Sequence, residues 1–316
     1  MLAILLATAL TTPPRVDVHF VDDEARAVLA ILDKRAAQRQ VTDDDWQRLF
    51  RSEGYVRLAA RERSFGIDFT DDGFRKFVLS DDLLGQRAEL ARIVDDWTHA
   101  DLRRAAELAL VYLPAKATIR ARIYPAIKPR KNSFVWEVST NPAIFLAVEP
   151  KPRDAFVRIV AHELHHIGYG TACSELPMPR AWVGAFGEGF AVLAAAGGPD
   201  AEPQPDPEAR QAWQRQMSTL PADLRDVERF LVAAIDGKLS KDEARKRGME
   251  FFGTTGPWYT IGWTMATTIE TTFGRAKLIE VVCDQRKLFA TYNAAVRKSG
   301  LELPLWSPRL IELVDR

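Results

Sequence analysis

The stretch His162-Glu163-Leu164-His165-His166 decides how this chain is read. The sequence holds five histidines, and three of them stand in this pentapeptide. On a helix, side chains four residues apart are neighbours, so His162 and His166 stack on one face. Two imidazole nitrogens so placed can reach one tetrahedral Zn²⁺ at about 2.0–2.1 Å. Glu163 is rotated roughly 100° from His162, which sets its carboxylate beside the metal rather than on it. A carboxylate there is placed to act as general base on a metal-activated water. The bland alternative is an amphipathic helix whose histidines face solvent or a satisfied core, and the flanks weigh against it.

Upstream and within the motif, Phe156, Val157, Val160, Leu164 and Ile167 recur at helical spacing and predict a buried stripe. Ile159, His162, His166 and Tyr169 form the adjoining stripe, so the metal-facing side borders the core. Pro150 and Pro152 precede the helix, and Asp154 is a candidate N-cap or first-turn acid. Gly168 and Gly170 read as a stop signal just past His166, which would let the chain turn back and deliver a third ligand. A histidine six residues beyond His166 is absent, since positions 169 and 172 hold Tyr169 and Ala172.

The third ligand is therefore sought among the downstream acids Glu175, Glu188 and Glu202. Glu175 lies in a segment that reads as loop, and Glu202 in a Pro/Asp-rich stretch with no rigid element to hold it. Glu188 opens Gly187-Glu188-Gly189-Phe190, the start of an alanine-rich helix closed by Gly197 and Gly198. Glycines on both sides of the carboxylate permit close backbone approach. The competing role for Glu188 is that of a first-turn acid favoured by the helix dipole.

Taken with Trp258-Tyr259-Thr260-Ile261-Gly262 further on, these motifs resemble those of gluzincin-type zinc metallopeptidases. More narrowly, the chain is similar to bacterial families assigned as zinc-dependent peptidases of unknown substrate, most specifically across residues 155–285. The resemblance implies a zincin-like catalytic core holding one Zn²⁺, with His162, His166 and Glu188 on the metal and Glu163 as base. It implies a peptide or protein substrate without naming one. Tyr259 is a candidate donor to the oxyanion of the reaction, a role gluzincins give to a tyrosine or histidine. Helix-terminal packing beside Trp258 and Trp263 is the alternative for Tyr259, and His165 and Tyr169 are lesser candidates for the same donor role. Two rival functions remain in view: a non-catalytic zinc-containing scaffold, and a hydrolase of a non-peptide amide.

Composition agrees with a catalytic domain of ordinary surface. Hydrophobic residues make up 47% of the chain, and 43 basic residues balance 43 acidic ones. Without a basic patch interleaved with aromatics, a nucleic-acid partner is disfavoured, and no apolar run is long enough to span a membrane. The opening apolar residues Met1 to Leu10, with Ala7-Thr8-Ala9 as a cleavage-like site, resemble a signal peptide over 1–14 that lacks its basic leader. Export to the periplasm or medium is the favoured expectation, with a cytoplasmic location as the alternative. Cys173 and Cys283 can pair in an oxidising compartment, although two cysteines do not decide the compartment.

The fold class expected is α+β and predominantly α-helical, with a small β-sheet just before the His162–His166 helix. Helical periodicity covers 25–39, 44–63, 73–79, 87–97 and 100–113, with Asp43, Asp81 and Asp82 as start signals and Gly54, Gly66 and Gly85 as punctuation. This defines a helical region over 15–113 without catalytic residues, since His19 and His99 are isolated; the catalytic domain follows over 114–316. Alternation over 117–124 and β-rich runs at 134–138 and 143–148 predict three strands. Either of the last two is a candidate edge for an extended substrate. Beyond a proline-rich loop at 200–207, helices are predicted over 208–220, 222–236, 241–250 and 258–273, followed by two or three shorter ones.

Overall fold

The computed structural model describes residues 15–138, 140–151, 153–173, 182–204, 206–253 and 255–315. The apolar run 1–14, the side chain of Asp154 and the candidate ligand Glu175 lie outside the described residues.

The chain folds as α+β with helices dominant. Strand β1 (Val16–Phe20) leads into six helices: α1 (Asp23–Ala36), α2 (Asp43–Arg51), α3 (Glu53–Ser64), α4 (Asp71–Val78), α5 (Asp81–Thr98) and α6 (Leu102–Val111). The periodicity over 44–63 reads as one helix, but Ser52 divides it. Its hydroxyl accepts from the Tyr55 N–H at 3.3 Å, so it caps α3 directly behind the end of α2. Gly85, expected to punctuate, lies inside α5, which Ser80 caps at the Leu83 N–H.

Strands β2 (Ile119–Ala126), β3 (Phe134–Trp136) and β4 (Ala143–Ala147) follow. The sheet order is β1-β2-β4-β3, with β1, β2 and β4 parallel and β3 antiparallel. Of the two candidate edges, β3 is one, whereas β4 is an interior strand buried at every position. That is the pattern of a strand covered on both faces. The other edge is β1, which the sequence reading passed over although Val16, Val18 and Phe20 alternate with polar residues. Ile119, Ala121, Ile123, Ile144 and Leu146 face one core with α1, α5 and α6. Tyr124, Ala126, Ala143 and Phe145 face the opposite side, against Leu58 of α3.

Helix α7 (Arg153–Ala172) carries the His162–His166 motif into the first core. Of its predicted stripe, Phe156, Val160, Leu164 and Ile167 are fully enclosed and Val157 is partly buried, and Phe156 stacks on Trp97 with ring centroids 4.4 Å apart. The expected stop at Gly168 and Gly170 is corrected, because the helix runs through both. A Cβ on Gly168 would stand 2.4 Å from Leu113 Cδ1, and one on Gly170 would stand 3.0 Å from Val138 Cγ1. Both glycines serve close packing rather than termination.

A 3₁₀ turn at Val183–Phe186 leads into α8 (Gly187–Ala196), which stops where Gly197 takes a left-handed φ of 91°. The remaining helices are α9 (Pro207–Ser218), α10 (Leu220–Ile235), α11 (Lys241–Glu250), α12 (Pro257–Phe273), α13 (Arg275–Cys283), α14 (Leu288–Ser299) and α15 (Pro308–Asp315). They form a second core around Trp258, Phe186, Phe230, Phe289 and Trp306. Cys173, at the end of α7, is disulfide-bonded to Cys283, at the end of α13. Among the described residues, no helix is long and apolar enough to cross a membrane.

Candidate metal centre

The site forms on the seam between the two cores. On α7, the helical repeat brings His162 Nε2 within 3.1 Å of His166 Nε2. From α8, Glu188 Oε2 stands 3.0 Å from His162 Nε2 and 3.3 Å from His166 Nε2. Glycines set the position of α8. A Cβ on Gly189 would lie 2.0 Å from the Trp263 backbone nitrogen, and one on Gly262 would lie 2.4 Å from the Phe186 carbonyl oxygen. Helices α8 and α12 therefore cross backbone against backbone, which holds Glu188 toward α7 and brings Tyr259 of α12 to the same place.

The three atoms suit a zinc ion by size and by chemistry. Ligands of a tetrahedral zinc at about 2.0–2.1 Å stand about 3.3 Å from one another, close to the triangle observed. Two imidazole nitrogens and a carboxylate oxygen form an N/O donor set that zinc accepts. The group His162, His166 and Glu188 lies within 4.8 Å overall.

Charge is concentrated in a half-dry environment, where the side chains of His162, His166 and Glu188 are 16%, 27% and 19% exposed. Burial acts to raise the Glu188 pKa, but His166 and His162 outweigh it and hold the carboxyl well below its usual range. Burial acts to lower His166, yet the Glu188 carboxylate holds it up at about 9. Glu163 is raised by burial, with a further push from Glu188 and opposition from the two histidines. The Tyr259 phenol is raised well beyond its ordinary value by burial and then by the charges of Glu188 and Glu163, so it keeps its proton. Its ring lies 6.2 Å from that of His162, nearly parallel to it.

The other candidates are placed elsewhere. Glu202 pairs with Arg210 at 3.3 Å and does not join the histidines. His165 points into the core with 1% exposure, and burial followed by repulsion from His166 and His162 lowers it to about 3. Tyr169 packs beside Leu113 and Cys173, on the side of α7 near its end. A cavity of about 400 Å³ adjoins the triad and is lined by His162 and Glu163 together with Arg158, Ile159, Val192 and Asp206. The sequence reading missed this cavity and Arg158 with it. Arg158 precedes His162 by one helical turn and shares its face, but the facing walls of the cavity come from distant parts of the chain.

The profile of the family described as "Putative zinc dependent peptidase (DUF5700)" matches residues 34–300. The chain belongs to this family. That description supports, at a coarse level, a hydrolase-type enzyme that depends on zinc. No curated protein and no solved structure matches the chain.

Proposed function

We propose that this DUF5700 protein hydrolyses peptide bonds at the seam between its two cores, with zinc held by His162, His166 and Glu188. The observation that carries the reading is the triangle of two imidazole nitrogens and one carboxylate oxygen, 3.0–3.3 Å on a side, with Glu163 beside it on the wall of a cavity. When bound, zinc would supply Lewis acidity toward a carbonyl oxygen and would lower the pKa of a water. Glu163 would act as general base on the attacking water and as general acid toward the leaving amine. Tyr259, held protonated, donates a hydrogen bond to the carbonyl oxygen as negative charge develops there. We also propose that the protein is exported, a location in which the Cys173–Cys283 disulfide persists.

The test is a peptide mixture digested by the zinc-loaded protein and read by mass spectrometry, with Glu163→Gln as control. Cleavage dependent on Glu163, with equal zinc in both proteins, is the expected result. No Glu163-dependent cleavage in any pool would remove the peptidase reading, and zinc lost from Glu163→Gln would overturn the assignment of Glu163 as base.

A further inference from the structure

We propose that Arg158 binds a carboxylate of the substrate in the cavity beside the triad, making this protein selective for peptides that present an acid there. The inference rests on the peptidase reading and concerns the cavity of about 400 Å³ beside the triad. Arg158 lies one helical turn before His162 on α7, on the same face, and both side chains line the cavity. A peptide whose scissile carbonyl sits at the triad and whose chain runs into the cavity therefore passes Arg158.

The other charges on the cavity wall are already committed. Lys151 pairs with Glu149 at 2.8 Å. Asp206 Oδ1 accepts the Glu208 and Ala209 backbone N–H groups at 3.0 and 2.9 Å, capping α9. Glu208 is exposed, where water screens it. Arg158 is different. It is half-buried, its Nη1 donates to the Glu202 carbonyl oxygen at 2.7 Å, and among the described residues no carboxylate pairs with it. A guanidinium has five N–H donors in a planar fork, so one bond to a carbonyl leaves room for a two-point grip on a carboxylate. The acid has two sources, the chain terminus and an acidic side chain, and the experiment separates them.

Three N-acetylated peptides that differ only at their C-terminal end suffice: one with a free C-terminal acid, one with a C-terminal amide, and an amide with Glu as its last residue. With zinc-loaded protein, the preferred acid is expected to give a kcat/KM about 10- to 100-fold above the plain amide, as charge-assisted hydrogen bonds imply. The first peptide ahead assigns the terminus, and the third ahead assigns the side chain. In Arg158→Ala the acid-to-amide ratio falls to about one, and Arg158→Lys restores part of it. A purely structural tether to Glu202 would lower all three rates and leave the ratio unmoved. A ratio shared by wild type and Arg158→Ala overturns the inference while leaving the peptidase reading intact. If no peptide is cut, the peptidase reading fails, and calorimetry with the Glu163→Gln protein decides the carboxylate site. Acid-selective binding abolished by adding Arg158→Ala supports it, whereas equal or absent binding overturns it.

Discussion

Both halves of the molecule bury aromatic rings, but the half built from the sheet and α1–α7 buries several ionisable side chains with them, whereas among the described residues the half built from α8–α15 buries Glu270. Glu24, Arg57, Glu62 and Lys128 are all at most 8% exposed in the first. In the second, Trp258, Trp306, Phe186 and Phe289 are fully enclosed and meet edge to face or tilted. Buried ion networks are sensitive to pH and to the loss of a partner; aromatic cores are sensitive to shape. The candidate metal centre draws its histidines from the first half and Glu188 and Tyr259 from the second. Its geometry depends on the two halves keeping their relative position.

The largest effects are expected where the halves meet at the metal. His162→Ala removes a ligand from one half and Glu188→Ala from the other, and both should strip zinc as measured by metal analysis. Glu202→Ala should not. Glu163→Gln should retain zinc and lose about 1,000-fold in kcat/KM. Full zinc content in Glu188→Ala would show that the second half supplies no ligand.

Next in size is the covalent tie. Residues 173 and 283 are 110 apart in sequence, and closing a loop of that length stabilises by about 5 kcal/mol in the chain-entropy model. Cys173→Ser with Cys283→Ser should lower stability by that order in denaturant unfolding. An unchanged midpoint would mean that noncovalent packing alone holds the halves together.

Two glycines sharpen the comparison further. Gly189→Ala drives a Cβ into backbone of α12, which cannot move aside, so roughly 3 kcal/mol of stability should go, with weaker zinc binding because Glu188 is displaced. Gly168→Ala meets the tip of Leu113, which can change rotamer. The gain in helix propensity of about 1 kcal/mol should leave that variant close to wild type. Equal thermal shifts in the two would contradict the rigid α8–α12 crossing.

The two halves also differ in their response to pH. Burial raises Glu24 from 4.5 to about 8, with Asp23 adding to the shift and the Ile127 N–H and Lys128 opposing it. Between those values the unfolded chain has lost this proton while the folded chain keeps it. The contribution is therefore complete below pH 4.5 and lost as pH rises through about 8. The slope is at most about 1.4 kcal/mol per pH unit. Glu24→Gln should flatten the decline of unfolding free energy across this window; a decline identical to wild type would assign it to other groups.

Much of the fold was legible because its signals are local. The buried stripe of α7, the helices at 207–218, 220–235, 241–250 and 257–273, and strands at 119–126, 134–136 and 143–147 all follow from period and from flanking breakers. What was misread depended on contacts distant in sequence. Gly197 and Gly168 look alike as letters, yet one ends a helix at positive φ and the other seats α7 against Leu113 and Ile119. Likewise β3 and β4 are both short apolar runs, and only pairing with β2 makes β4 interior. Arg158 gave no warning of its cavity, because the facing walls come from α8 and α9.

By itself the sequence determined that two imidazoles share one face of a helix with a carboxylate beside them, since the helical repeat leaves no other arrangement for residues 162, 163 and 166. Tertiary structure decided which acid closes the triangle. Glu188 and Glu202 are both glutamates of the same stretch of chain, and only the backbone contact of Gly189 with Gly262 and Trp263 carries one of them to the histidines while Arg210 holds the other away.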